Sequence, residues 1–271
     1  MMLRPGTRLG RYVVLGPLGR GGMSFVYKAK CDDGPVVALK FPDQRPSSEA
    51  FRQYIIEGKA LVQLHHPNIV KVLTVAEKER WPYIVMHYVD GRTLSEKISE
   101  TKHFSMDEVY RVLAPIANAL DYIHVHDKVH RDVKPGNILF DSRGNPVLVD
   151  FGIVQTGEPG RSSVRMPRGS PWYMSPEQVE GKHATGQSDQ YSLAIVAYEM
   201  IAGRLPFDGD PGMVARHQRD TKPPIPANWS APLKTWMQQA LEKIPEKRFP
   251  SCGEFIDVLR RAGQDYRVTT A

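Results

Sequence analysis

The sequence predicts an α+β fold in two lobes, a small β-rich lobe followed by a larger, mostly helical one. Three observations carry this expectation. Short apolar runs bounded by Gly, Pro or polar residues crowd the stretch before Gly91. After Gly91 the apolar residues take up a helical period. The 271 residues are 41% hydrophobic, enough to build a proper core.

The elements follow in order. Residues 12–15, 25–29, 36–41, 69–75 and 83–86 read as strands. Between them Phe51, Tyr54, Ile55, Leu61 and Val62 fall at helical spacing, so 51–64 reads as a helix with Ser47 and Ser48 as caps. The lobes join near 88–91. Beyond, Val109, Val112, Leu113, Ile116, Leu120 and Ile123 form one stripe. Ser105 and Glu108 open that helix as a capping box, and Pro115 is expected to bend it. Residues 192–202 are apolar nearly all round, as in a helix buried on every side, and Gly203 stops it. This sets the lobes at 1–89 and 90–262, with 263–271 a tail or the start of a linker.

Composition narrows the function classes. Lys and Arg number 36 against 30 Asp and Glu, a net charge of +6 that suits an acidic ligand. The basic residues are scattered and show no stripe interleaved with aromatics, so nucleic acid is not an expected partner. Cys31 and Cys252 lie in no metal-type spacing and read as free thiols in a reducing compartment. Residues 1–9 hold Arg4, Pro5 and Arg8 and do not resemble a signal peptide. No apolar run reaches the ~18 residues of a membrane helix. The expectation is a cytoplasmic chain without membrane insertion, alone or as the cytoplasmic part of a longer anchored protein.

The chemistry sits in four short stretches. Gly19, Gly21 and Gly22 lie between two strands, where closely spaced glycines let backbone N–H groups approach phosphates. Strand rather than helix follows, so this is not a dinucleotide fingerprint. Lys40 ends the apolar run Val37-Ala38-Leu39, and Glu57 on the next helix could pair with it. His130-Arg131-Asp132-Val133-Lys134-Pro135-Gly136-Asn137 packs a base, cations and an amide oxygen into eight residues after a buried helix. Asp132 could accept a hydroxyl proton, and Asn137 offers oxygen to a hard cation. Asp150-Phe151-Gly152 supplies a second hard oxygen ligand after a turn at Gly144-Asn145-Pro146.

In this order, with Ser175-Pro176-Glu177 after them, the motifs resemble the signature set of protein kinases. The resemblance runs from Arg11 to Leu259 and implies the bilobal kinase fold. It implies that Lys40 holds the α- and β-phosphates of ATP and pairs with Glu57. Asp132 would orient and deprotonate the substrate hydroxyl, Lys134 would sit beside the transferring phosphate, and Asn137 and Asp150 would bind Mg²⁺, or Mn²⁺ in its place. Gly19, Gly21, Gly22 and Ser24 would cover the phosphates. Val26, Ala38 and Leu139 would sandwich adenine, with Met86 as gatekeeper and the backbones of His87 and Val89 bonding the base. Lys134, two residues after Asp132, is similar to the serine/threonine branch. Ser170, Pro171 and Trp172 resemble the substrate-docking loop, with the Ser170 hydroxyl bonding near Asp132 and Lys134. Asp189 resembles the aspartate that braces the catalytic loop, and Arg248 the partner of Glu177.

Gly-Gly-Met-Ser in the first loop and Ser-Pro-Glu-Gln after the activation segment are similar to bacterial, Hanks-type serine/threonine kinases. Ser24 stands where the family has a third glycine, His87 where the hinge often has an acid, and Ala194 where a glycine is usual. Arg131 before Asp132 marks members switched by a loop phosphate, for which Ser162 and Ser163 are the candidates, phosphorylated by a second copy in trans or within a homodimer. Other partners implied are ATP and proteins bearing Ser or Thr. A nucleotide-binding scaffold without catalysis is the main rival; it would lack Lys40, Asp132, Asn137 or Asp150, and all four are present.

Overall fold

The computed structural model describes residues 3–20, 24–44, 46–101, 103–150 and 170–263. These form two compact units, one running through Asp90 and one beginning at Gly91.

The first unit is a six-stranded antiparallel sheet with one helix. The strands are β1 (Arg8–Leu9), β2 (Tyr12–Arg20), β3 (Ser24–Cys31), β4 (Val36–Pro42), β5 (Val72–Lys78) and β6 (Trp81–His87), in the order β1-β2-β3-β4-β6-β5. Alternation assigns the two faces. Tyr27, Ala29, Val37, Leu39, Phe41, Tyr83 and Val85 share one face and form the core of this unit with Leu9 and Val14. Phe41 stacks on Tyr83 with ring centroids 4.8 Å apart. Helix α1 (Ser48–Val62) is capped by Ser47, whose side chain accepts from the Ala50 N–H. The structure moves the fifth strand: 69–75 was the expected span, but Ile69 and Val70 are buried in a turn closed by Ile69 N–H to His66 O, and pairing with β6 begins at Val72.

The second unit is mostly helical. It contains α2 (Leu94–Glu100), α3 (Met106–His124), the hairpin β7 (Ile138–Phe140) and β8 (Pro146–Leu148), α4 (Pro176–Val179), α5 (Gly186–Ala202), α6 (Pro211–Asp220), α7 (Ala231–Ala240) and α8 (Cys252–Gly263). Ser105 and Glu108 form the expected capping box at the start of α3. Helix α5 is buried on all sides and ends at Gly203 in the left-handed conformation. It starts six residues before the apolar run, because Thr185 and Ser188 cap it and the polar residues of its first turns find buried partners. The Asp121 carboxylate on α3 accepts from the backbone N–H groups of Cys252 and Gly253 and so caps α8. Gly91 is fixed by close approach: a Cβ there would lie 1.6 Å from the Phe140 carbonyl oxygen. No helix among the described residues is long and apolar enough to cross a membrane.

Candidate active site

In the first unit, strand register gathers several predicted residues on one face of the sheet. Val26 lies opposite Lys40, Lys40 opposite Ile84, and Ala38 opposite Met86. Directly opposed residues share a face, so Val26, Ala38, Lys40 and Met86 stand together on the side away from the core. Ser24 begins β3 and is buried; His87 ends β6 and is exposed; Val89 follows, half-buried. Gly19 pairs with Val26 across β2 and β3. Gly21 and Gly22 lie outside the described residues.

The expected pairing of Lys40 with Glu57 is not made. Glu57 instead accepts from Nε2 of Gln53 at 2.9 Å, one turn back on α1, and forms no ion pair among the described residues. An amide four residues away on the same helix is a local partner that needs no shift of the helix. Lys40 itself is 8% exposed, and its backbone carbonyl accepts from the Tyr54 hydroxyl at 3.1 Å.

In the second unit, the loop after α3 is held at both ends. Asp189, on the buried first turn of α5, accepts from the N–H of His130 and of Arg131, both at 2.8 Å. Its Oδ2 is also 2.9 Å from Nε2 of His124. His130 Nδ1 accepts from the Asp132 N–H at 3.3 Å, which leaves Nε2 to donate to the Val149 carbonyl at 3.1 Å. Burial pushes the His130 pKa down despite nearby Asp189, so the ring is the neutral tautomer those bonds require. Arg131 and Asp150 have φ of 68° and 66°, an uncommon left-handed conformation outside glycine. At the centre, Oδ2 of Asp132 accepts from Lys134 Nζ at 2.7 Å and from Asn137 Nδ2 at 2.9 Å. Asn137 Nδ2 also donates to the Asp132 carbonyl at 2.8 Å. Because its nitrogen is committed to Asp132, the Asn137 Oδ1 is the atom left for a hard cation, and oxygen, which the Asp150 carboxylate also offers, is the donor type that suits Mg²⁺. Leu139 follows on β7, half-buried.

The residues expected to dock substrate also lie in this unit. Ser170 precedes the turn Pro171–Tyr173, but its hydroxyl bonds neither Asp132 nor Lys134. Lys134 and Asn137 instead share the Oδ2 of Asp132. Glu177 and Arg248 form a bidentate pair, both contacts 2.8 Å, with side chains 8% and 0% exposed. Burial would push the Glu177 pKa up, but bonds and charge from Arg248, with Ser188, hold it below the usual carboxylate range. Ser162 and Ser163 lie outside the described residues. Sequence reasoning missed Gln178, whose Nε2 donates to the Arg131 carbonyl at 2.8 Å, and His124 on Asp189. Neither carries a local signal, since each partner lies far along the chain.

Comparison with known proteins places these features. The profile of the protein kinase domain matches residues 12–257. A protein of Clostridium perfringens named a probable serine/threonine-protein kinase is 37% identical over 268 residues, covering 96% of this chain and 39% of that protein. The serine/threonine-protein kinase PrkC of Bacillus subtilis is 34% identical over 243 residues, 88% of this chain and 38% of that one. PknA of Mycobacterium tuberculosis is 33% identical over 271 residues, 95% and 63% of the two chains. The chain thus spans 38% to 39% of the length of the first relatives it matches.

Proposed function

Since the chain belongs to the protein kinase family, in its Hanks-type bacterial serine/threonine branch, we propose that it transfers the γ-phosphate of ATP to serine and threonine hydroxyls of proteins. The observation that carries the reading is the cluster on Asp132, with Lys134 Nζ at 2.7 Å and Asn137 Nδ2 at 2.9 Å on the same oxygen. That carboxylate can align a hydroxyl and take its proton as the oxygen bonds to the γ-phosphorus and the bond to the β-phosphate oxygen breaks. Lys134 then lies within reach of the developing phosphoryl charge. Asn137 and Asp150 would hold Mg²⁺, with Mn²⁺ as a substitute; the ion would neutralise the phosphate oxygens. Lys40 would bind the α- and β-phosphates, with Glu57 exchanging Gln53 for Lys40 when nucleotide enters. Val26, Ala38, Leu139 and Met86 would enclose adenine, the backbones of His87 and Val89 would bond it, and the Gly19–Ser24 loop would cover the phosphates.

Regulation follows from Arg131. Its Nε is buried without a hydrogen-bond partner among the described residues. A phosphoserine at 162 or 163 adds about −1.5 to −2 charges and three acceptors, which would satisfy it. Phosphorylation would occur in trans, from a second copy of the chain. Attachment to a membrane through a further segment is part of the same proposal.

The test is labelled ATP with the chain and a generic basic protein, beside the Asp132→Asn variant. Label on serine and threonine of the protein, lost in the variant, supports the reading. No transfer by the wild-type chain, with ATP still bound, overturns it in favour of a scaffold. Peptide mapping after incubation with Mg-ATP reads Ser162 and Ser163; full activity in the Ser162→Ala, Ser163→Ala double variant would remove the switch.

A further inference from the structure

The turn Pro171–Tyr173 is held from inside by buried polar groups that phosphate transfer does not call for. Gln218 on α6 is fully buried. Its Nε2 donates to the Trp172 carbonyl at 2.7 Å, and its Oε1 accepts from the Tyr191 hydroxyl at 2.7 Å. Tyr191, fully buried on α5, accepts in turn from Lys243 Nζ at 3.2 Å. The same ammonium donates to the Gln218 carbonyl at 2.7 Å. Beside this chain, the Ser192 hydroxyl donates to the Tyr173 carbonyl and the Tyr173 hydroxyl to Glu199, both at 2.7 Å.

A buried amide is kept only where its partners are complete, because leaving it unpaired in a low-dielectric interior is costly. Both side-chain polar atoms of Gln218 are engaged, from two directions. The group they hold is a backbone carbonyl, so what is fixed is the position of a peptide unit rather than the packing of a ring. Gln218 cannot rotate away from Trp172 without also leaving the Tyr191 hydroxyl. Groups distant in sequence thus form one chain, from Lys243 through Tyr191 to Gln218, that ends on a carbonyl of the docking turn.

We propose that Gln218 is a positioning residue for the protein substrate. Braced by Tyr191 and Lys243, it sets where Pro171 and Trp172 meet the residue that follows the phosphoacceptor. This rests on the reading of residues 170–172 as the docking loop. A side chain that merely fills the core would affect stability and leave substrate selection alone.

The experiment compares Gln218→Met, Gln218→Glu and Tyr191→Phe with wild type. Each is assayed on serine peptides that differ only at the residue after the acceptor. Loss of one such bond should raise peptide KM about threefold to tenfold, with kcat and the KM for ATP unchanged, and should flatten the ranking of the peptides. Gln218→Glu keeps the acceptor for Tyr191 and can donate to the Trp172 carbonyl only when protonated, so its effect should grow toward that of Met as pH rises. Tyr191→Phe leaves Gln218 in place and should act in the same direction, more weakly. If the Gln218 variants do not fold, Tyr191→Phe carries the test, since it removes only a hydroxyl. Unchanged peptide KM and ranking overturn the proposal, as does a fall in kcat shared by every peptide. Wild type that phosphorylates none of the peptides would sink the proposed function itself; active wild type with unaltered variants sinks only the positioning role.

Discussion

Arg248→Met probes a buried bidentate ion pair of the helical unit. The change keeps an unbranched side chain but removes five donated hydrogen bonds, to the Glu177 carboxylate twice and to the carbonyls of Gln187, Glu242 and Lys243. Glu177 is then a nearly buried carboxylate with Ser188 as its remaining side-chain donor, at 2.6 Å. Removing one member of a buried pair costs about 3–5 kcal/mol, because the other charge stays behind uncompensated. At roughly 2–4 °C per kcal/mol for a chain of this size, Tm should fall by about 6–20 °C. Thermal unfolding followed by circular dichroism measures it.

The pH dependence supplies an independent check. In the native chain Glu177 is held below its usual range, so its contribution is present above the unfolded pKa of about 4.3 and is lost as pH falls through the folded value. Without Arg248, burial is opposed only by the Ser188 hydroxyl and a backbone bond, so Glu177 takes up its proton at higher pH in the folded variant than in the folded wild type. The stability gap between the two proteins should therefore narrow as pH is lowered from 7 toward 4. The double variant Glu177→Leu, Arg248→Met should recover part of the loss, since no charge is left buried. A Tm drop below about 3 °C together with a gap that does not vary with pH would refute the reasoning.

Lys40→Ala and Asp150→Asn should each abolish phosphotransfer with little change in Tm; near-normal turnover by Asp150→Asn would defeat its assignment to the metal. Met86→Ala should admit ATP analogues enlarged at the exocyclic amine, at a stability cost of about 2–5 kcal/mol from the cavity; a folded variant that still excludes them would mean the hinge is misassigned. Asp189→Asn should lower kcat more than it weakens ATP binding, since it disturbs two catalytic-loop N–H contacts; an unchanged kcat argues against the clamp. Burial, with Arg248 nearby, lowers the Lys243 pKa from 10.5 to about 8. The unfolded chain then holds that proton more tightly, so wild type should gain stability relative to Lys243→Met as pH rises from 8 toward 10.5, which urea titrations along a pH series would read.

The sheet was legible because β3, β4 and β6 alternate, and their core residues fall at every second position. The β5 boundary was not, because Ile69 and Val70 are as apolar as strand residues yet are buried by a turn. Helix α5 shows the harder case. Gln187 to Gln190 look like a solvated loop, and nothing local reveals that Ser188 and Asp189 bond Glu177, His130 and Arg131. The same limit governs the site. Asp132, Lys134 and Asn137 sit within a few positions of one another, so spacing alone predicts that they can meet. Gln178, Gln218 and His124 reach partners 47, 46 and 65 residues away, and their chemistry is common in loops and helix faces. Glu57 rests on Gln53 in this structure for a related reason. A pair across two elements depends on where the helix sits, whereas Gln53 is available by helical geometry alone.

The loop around Asp132 shows why such distant residues are needed. Arg131 takes a left-handed conformation that costs on the order of 1–3 kcal/mol for a side-chain-bearing residue. Among the described residues neither backbone group of Arg131 bonds within the loop. Its N–H goes to Asp189 and its carbonyl to Gln178, so both sides of the strained residue are tied to helices far along the chain. Hydrogen bonds to a charged group contribute about 1.5–3 kcal/mol each. The Asp189 contacts to His130 and Arg131 are therefore of the size required to hold the strain. Strain held from outside keeps the backbone from relaxing, and a backbone that cannot relax holds the Asp132 carboxylate in one place. The buried polar turns of α5, which look wrong for a helix interior, are thus the part of the fold that holds the short motif around Asp132.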